Sequence, residues 1–370
     1  MQALCSYVRG SLTAKAMLVA GGVGDASASA MSAFSVFLLR DMVSHAAGLL
    51  FSAGYCASFQ ARAKQWRLFA DLANSGGLVV ELLAPTASRF GPGAFAACAA
   101  LGSVLRAICG AAAGSARAAF TAHFARMSHD PADVAAKENT QETAATLVGM
   151  ALGWWASAAT ENNVVALWAV FGMLTIAHAA FNVLAVRAIE LSTLDAERMR
   201  VVTRLAGRNR ALPSPAEVAR HDALLPPMFV GEAAAHAVAC IRGRVRVSVG
   251  ADVRFVTRTA RRMGCWPEVA EAFRAVDEPF VLCPLLTPGG GFGTIAAVIR
   301  RGAGPDVVVN AAWAAARLAE TGRPQGLSDR LFGLSPPTVG DFAKAGWDVR
   351  GGVAGEGGNR AEWGADVAFR

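Results

Sequence analysis

The sequence predicts a mainly α-helical protein: a multi-helix membrane bundle of about six helices, followed by a small α+β C-terminal domain. Three observations carry that prediction. The 35 basic and 28 acidic side chains divide as 22 in residues 1–190 and 41 in residues 191–370. Hydrophobic residues make up 54% of the chain and mean hydropathy is +0.37, high for a protein that folds in water. Val164 to Val186 runs 23 residues without a formal charge, enough helix to cross a bilayer. The resulting division is 1–200 for the helical membrane domain, 201–215 for a linker around Leu212-Pro213-Ser214-Pro215, and 216–350 for the α+β domain. The Gly-rich tail 351–370 is expected to be disordered.

Leu4 to Val23 is an apolar helix interrupted by Arg9 and Lys15 and closed by Gly21-Gly22-Val23-Gly24. Asp25 reads as the N-cap of a second segment, apolar to Phe59 and broken only by Arg40-Asp41. That segment is too long for one straight span, so it is one long helix or two spans. A third helix covers about Gln65 to Leu83 and stops before Pro85. After the turn Gly91-Pro92-Gly93, a fourth runs from about Ala94 to Arg126. It contains Gly110-Ala-Ala-Ala-Gly114, a small-xxx-small spacing that lets two helices approach closely.

The fifth helix opens on Asp130-Pro131, an N-cap with proline at the first helical position. Asp133, Lys137 and Gln141 form one stripe, Glu138 and Glu142 a second beside it, and from Ala144 to Thr160 there is no charge. The sixth starts near Asn163. The turns at 21–25, 84–92 and 161–163 hold one basic residue, Arg89. The opposite loops and the tail after Arg187 hold Arg62, Lys64, Arg67, Arg126, Arg198, Arg200, Arg204, Arg208 and Arg210. The positive-inside rule then places the C-terminal domain on the cytoplasmic or stromal side, provided 25–59 is a single span. Trp154, Trp155 and Trp168 near the 161–163 turn suit an aromatic belt or core packing equally.

In the second domain, Ile241 to Val249 alternates Arg with Val as a half-buried strand, with Asp252 to Thr257 expected to pair with it as a hairpin. Pro267 to Val276 reads as helix, Phe280 to Leu285 and Gly293 to Ile299 as strands, and Pro305 to Glu320 as helix.

Ionisable residues in apolar helices are costly, so they pair, face the bundle interior or line a path. The candidates for a ligand or cavity site are Asp25, Arg40, Asp41, Asp71, Arg106, Arg117, Asp133, Lys137, Gln141 and Glu142. Arg40 and Asp41 are adjacent and point about 100° apart, so each is expected to need a partner elsewhere. Arg106 and Arg117, three turns apart, share a face with Gly110, and Asp71 or Glu81 are their expected counter-ions. No nucleophile–base set stands at recognisable spacing, so no catalytic residue is assigned. His123, His129 and His178 lack ligand spacing, and no metal or cofactor is expected. The seven cysteines form no CxxC and read as small buried hydrophobes. Gly289 to Gly293 reads as a turn, since no Lys-Ser/Thr follows. The net charge of +7, nearly all from Arg, suits an anionic membrane surface and, without aromatic interleaving, not nucleic acid.

Ordered blocks resemble the ROOT UVB SENSITIVE (RUS) family: Gln2 to Gly10, Gly22 to Ala28, Ala63 to Asp71, Ser103 to Gly110, Ala132 to Lys137 with Gln141 to Thr143, and Ala185 to Arg187 with Leu194-Asp195. Ala135 and Thr140 stand where the family usually shows Ser. The resemblance implies a membrane-associated helical domain with a smaller C-terminal domain. It also implies roles in development, ultraviolet-B responses, auxin transport and vitamin B6 balance, often in plastids. Family members carry sequence before the block that begins here at Met1, so an N-terminal portion is expected to be missing. Three readings stay open: a non-enzymatic integral membrane regulator or scaffold, with a RUS-family partner or self-association; a carrier for a small polar metabolite; and a soluble enzyme with a very apolar bundle. The carrier requires a polar cavity lined by Asp25, Arg40, Arg106, Lys137 and Gln141.

Overall fold

The computed structural model describes residues 1–21, 30–59, 62–128, 130–209, 211–222, 224, 245–273, 279–286, 292–321 and 337–349. Asp25, the Gly289–Gly291 stretch and the tail 351–370 lie outside the described residues. Packing divides the chain into two compact units. One comprises Met1–Phe59, Ala63–Ile189 and Leu224–Pro226; the other comprises Gln60–Arg62, Glu190–Ala223 and Pro227–Arg370.

The first unit is helical: α1 Gln2–Ala20, α2 Ala30–Phe59, α3 Ala63–Leu82, the short α4 Ala84–Ala87, α5 Pro92–Ser128, α6 Pro131–Ala159 and α7 Val164–Ala188. The six long helices are the six expected. α2 continues unbroken through Arg40-Asp41, so its described residues form one helix. Asp130 caps α6 as its sequence demands, accepting from Ala132 N at 2.9 Å and Asp133 N at 3.3 Å, and Asn163 caps α7 by accepting from Ala166 N. Gly91, at φ 111°, makes the turn into α5 that a side chain would strain.

Among the described residues, four segments are long and apolar enough to cross a membrane: Phe34–Tyr55, Ala63–Phe90, Gly93–Arg126 and Val164–Ala188. α1 carries Arg9 and Lys15, and the first half of α6 is polar, so neither joins that group. Large apolar side chains stand exposed on α2 (Phe34, Leu38, Leu39), α6 (Leu147, Trp154, Trp155) and α7 (Met173, Ile176, Leu184). Of the three tryptophans near the 161–163 turn, Trp168 instead packs edge-on against Phe171.

Inside, Trp66 is the largest fully buried side chain, with Phe51, Tyr55, Phe59 and Phe69 around it at 5.1–5.7 Å. Glycine sets two close approaches. A Cβ on Gly149 or Gly153 of α6 would stand 2.7 Å from the Cβ of Tyr7 or Ser11 on α1. A Cβ on Gly77 of α3 would stand 2.8 Å from the Gly102 carbonyl oxygen of α5, and one on Gly102 would overlap Glu81. The Gly110/Gly114 pair is not used this way: a Cβ on either meets open space. The spacing that works is Gly149-xxx-Gly153, with buried Ala156 completing the stripe.

The second unit is α8 Ala196–Asn209, α9 Pro215–Ala219, β1 Arg246–Val249, α10 Val253–Met263, α11 Trp266–Phe273, β2 Phe280–Leu286, β3 Phe292–Ile299, α12 Pro305–Thr321 and α13 Val339–Lys344. The stretch 201–215, read from sequence as a linker, begins inside α8, whose Met199 and Val202 are fully buried in this unit's core. The sheet order is β1-β3-β2, with β1 parallel and β2 antiparallel to β3. Both faces are covered. Ile295, Ala297 and Ile299 pack with α8 and α12, while Ala296 and Val298 pack with Val256 and Ala260 of α10 and Val269 of α11. Continuous apolar runs are what a sheet buried on both faces requires.

The expected hairpin at 252–257 is instead a helix. Asp252 caps it by accepting from Arg254 N at 2.8 Å, and Val256 and Ala260, four apart, face the sheet. On the other side, Glu320 of α12 accepts from Arg204 at 2.9 Å through both carboxylate oxygens and from Arg200 at 2.9 Å. The Arg204 hydrogen bonds, reinforced by Arg200, hold the Glu320 carboxyl below the usual range.

Two predictions follow from this packing. Gly149→Ala and Gly153→Ala should lower stability by roughly 1–3 kcal/mol through overpacking, whereas Gly110→Ala should not lower it; thermal unfolding in detergent compares them, and equal losses would refute the α1–α6 packing. Because Glu320 is depressed in the folded state, its contribution is present above the unfolded glutamate pKa of about 4.3 and is lost as pH falls through the lower folded value. Acid unfolding of wild type against Glu320→Gln should therefore show a shallower pH dependence below about pH 4 in the variant.

Candidate functional site

The polar residues named from sequence fall into separate groups. Arg40 and Asp41 satisfy each other, with Nε and Nη2 of Arg40 donating to Asp41 Oδ1 at 2.9 and 2.8 Å. This corrects the expectation from helical geometry: the backbone directions diverge, but the arginine stem is long enough to fold back, and its guanidinium also lies 4.9 Å from the Phe37 ring centroid. Arg106 pairs with Glu81 at 3.2 Å, one of its two expected counter-ions. Gly102, one turn before Arg106, leaves the space that Glu81 fills.

Arg117 turns to α6 rather than α3. Its Nη1 donates to Glu142 at 2.7 Å, its Nη2 to Asn139 at 2.8 Å, and its Nε lies 3.0 Å from Glu138. The stripe Glu138–Glu142 at the start of α6 therefore faces α5. The neighbouring stripe does not face a helix: Lys137 pairs with Asp133 at 2.6 Å along α6, and both Lys137 and Gln141 are exposed. Arg40, Arg106, Lys137 and Gln141 do not line a common cavity, and Asp25, the fifth residue of that set, lies outside the described residues. A groove of about 430 Å³ between α1 and α6 is lined by apolar side chains together with Ser11 and Lys15. Lys15 is already engaged there, by the Ser157 carbonyl at 3.0 Å and Glu161 at 3.4 Å.

The most buried polar assembly joins α1, α3 and α7, and of its members only Asp71 is in the sequence-derived candidate set. Arg9 is 0% exposed. Its Nη1 donates to Ser75 at 3.0 Å and Thr175 at 3.2 Å, its Nε to the Cys5 carbonyl at 3.4 Å, and its Nη2 has no hydrogen-bond partner. One turn along α7, His178 Nδ1 lies 3.1 Å from the Gln2 carbonyl oxygen, and its Nε2 lies 3.1 Å from Asn182 Nδ2 and 3.4 Å from Asp71 Oδ1. A carbonyl only accepts, so Nδ1 carries a proton. Nε2 then accepts from Asn182 when the ring is neutral, or donates to Asp71 when it is charged. Arg67 stands 3.5 Å from the other Asp71 oxygen.

The signal for this assembly was present in the sequence as polar residues spaced by three or four inside apolar helices: Asp71 with Ser75, and Thr175 with His178 and Asn182. His178 drew notice only for metal spacing. Among the described residues no three His, Cys, Asp or Glu side chains gather as a metal set.

Removing Arg106 with Arg106→Gln leaves Glu81, whose side chain is 3% exposed, without its cation. A loss of about 1–3 kcal/mol is expected, against no measurable change for Lys137→Ala on the exposed stripe. Chemical unfolding in detergent reads both, and equal effects would contradict the burial difference.

Residues 1–207 match the family model described as the vitamin B6 photo-protection and homoeostasis domain. The chain is 37% identical over 226 residues to protein root UVB sensitive 3 of Arabidopsis thaliana, covering 61% of this chain and 50% of the relative. It is 33% identical over 228 residues to RUS family member 1 of Dictyostelium discoideum, covering 61% and 42%. Protein root UVB sensitive 5 of Arabidopsis thaliana is 28% identical over 157 residues, covering 40% and 30%. The chain thus spans half or less of the length of these relatives, and no solved structure matches it. Arg9, Asp71 and Arg106 all fall within the family-model match, which covers more than half of the chain, and the chain belongs to the root UVB sensitive family.

Proposed function

We propose that the chain is an integral membrane protein acting as a non-enzymatic regulator or scaffold in vitamin B6 homoeostasis. Its helical unit anchors the chain in the bilayer, and its α+β unit, tethered to that anchor, is presented to a RUS-family partner or a second copy. The observation that carries this reading is the distribution of charge in the helical unit. Arg40, Arg106, Arg117 and Lys137 are each closed by a carboxylate, in four separate groups. The Arg106 and Arg117 pairs tie neighbouring helices together, the Arg40 and Lys137 pairs close within a single helix, and the four leave no shared polar path among those residues. Membrane insertion is supported by the four apolar segments and by the large side chains exposed on α2, α6 and α7. The ultraviolet-B setting comes from the relatives' names, and the plastid location and link to auxin transport come from the family resemblance.

A carrier for a small polar metabolite is the second reading, favoured by Arg9. A fully buried guanidinium hydrogen-bonded only to neutral oxygens, with Nη2 unpartnered, has capacity left for an anionic group.

One measurement tests the membrane insertion that both readings share, and a second separates them. Alkaline carbonate extraction should leave the full chain in the membrane pellet; release into the supernatant would overturn membrane insertion. Proteoliposomes holding wild type should take up pyridoxal, pyridoxine and pyridoxamine no faster than empty vesicles. Uptake that is present in wild type and abolished by Arg9→Gln would overturn the scaffold in favour of the carrier.

A further inference from the structure

We propose that the exposed face of α10 docks on a membrane surface bearing anionic phospholipid headgroups. α10 carries Arg254, Arg258, Arg261 and Arg262 within Val253–Met263. At 100° per residue these positions fall within about 100° of arc, opposite Val256 and Ala260, which are buried against the sheet. All four arginines are exposed.

Among the described residues, the side chains of Arg254, Arg258 and Arg262 have no hydrogen-bond or ion-pair partner, and Arg261 lies only over the Trp266 ring at 5.0 Å. Asp252 is engaged at the helix cap, and Glu268 and Glu271 of α11 are exposed without pairing to this face. The arginines of α8 differ: Arg198, Arg200 and Arg204 are each closed by a carboxylate. Four guanidinium groups without a carboxylate partner among the described residues, on a helix about 16 Å long, make a cationic strip bordered by an aromatic ring. That is the charge complement of a headgroup layer, whose negative charge is laterally repeated rather than fixed in one geometry. Tethering to a membrane-inserted unit supplies the high effective concentration that makes a weak, purely electrostatic contact sufficient.

The inference rests on the membrane reading above, and the experiment keeps the two apart. The full chain is reconstituted in phosphatidylcholine nanodiscs, then tested for capture on immobilised vesicles of phosphatidylcholine with or without phosphatidylserine. Failure to enter nanodiscs would tell against the membrane reading. Nanodisc-borne protein is expected to bind phosphatidylserine vesicles and not neutral ones, with binding weakened by salt. Each Arg→Gln substitution at 254, 258, 261 or 262 should weaken capture roughly five-fold, and Arg→Lys should retain it. Capture that ignores phosphatidylserine, or that survives all four Arg→Gln changes together, would overturn the proposal. So would capture by heparin-coated beads but not by the anionic vesicles, which would point to a soluble polyanion.

Discussion

The helical unit depends on how closely two pairs of helices approach, and glycine sets both distances. Where Gly149 and Gly153 meet Tyr7 and Ser11, α6 lies on α1 with no room for a methyl group. Where Gly77 meets Gly102, backbone approaches backbone, and the Glu81 side chain fits in the notch. On the proposed bilayer reading there is no hydrophobic gain from bringing two apolar helices together, and close packing with interhelical polar contacts would supply the association. The Arg106–Glu81 pair is a consequence of that spacing. Glu81 reaches Arg106 because Gly102 has no side chain in its way.

Polar groups in the unit divide by burial, and the division decides what each is worth. Lys137 with Asp133 lies on an exposed face, where such pairs contribute little. Glu81 and the Arg9–His178 assembly are enclosed, where an unmatched group is expensive and a matched one fixes a single arrangement. Arg9 touches both α3 and α7 through its hydroxyl partners. The buried assembly thus specifies how three helices sit together, whether or not anything binds there.

Much of this was legible in the sequence, and the misreadings share a cause. Helix starts at Asp130-Pro131 and Asn163, and the charge-free run after Asn163, are local signals and appear where expected. The Gly110-xxx-Gly114 spacing was visible, but spacing does not say which face a helix turns to its neighbour, and that face is open. Arg40 with Asp41 failed for a related reason, because Cβ directions underestimate the reach of a long side chain. In the second unit, Asp252 to Thr257 reads from sequence as the second strand of a hairpin. Burial of Val256 and Ala260 against the sheet, together with the Asp252 cap, outweighed that pattern. The Arg9 assembly is a long-range juxtaposition of three helices, which no window along the chain contains.

The sheet order has a consequence for synthesis. Among the described residues, β3 is the last of three strands in chain order but the middle one in the sheet, and both of the other strands pair with it. Until Phe292–Ile299 has left the ribosome, β1 and β2 have no partner in this sheet, and the helix α12 that covers one of its faces is made later still. The helical unit has no such wait, since its described helices end at Ala188. The two halves of this chain therefore emerge in sequence: the described helices of the first unit are all made while β1 and β2 still lack their shared partner.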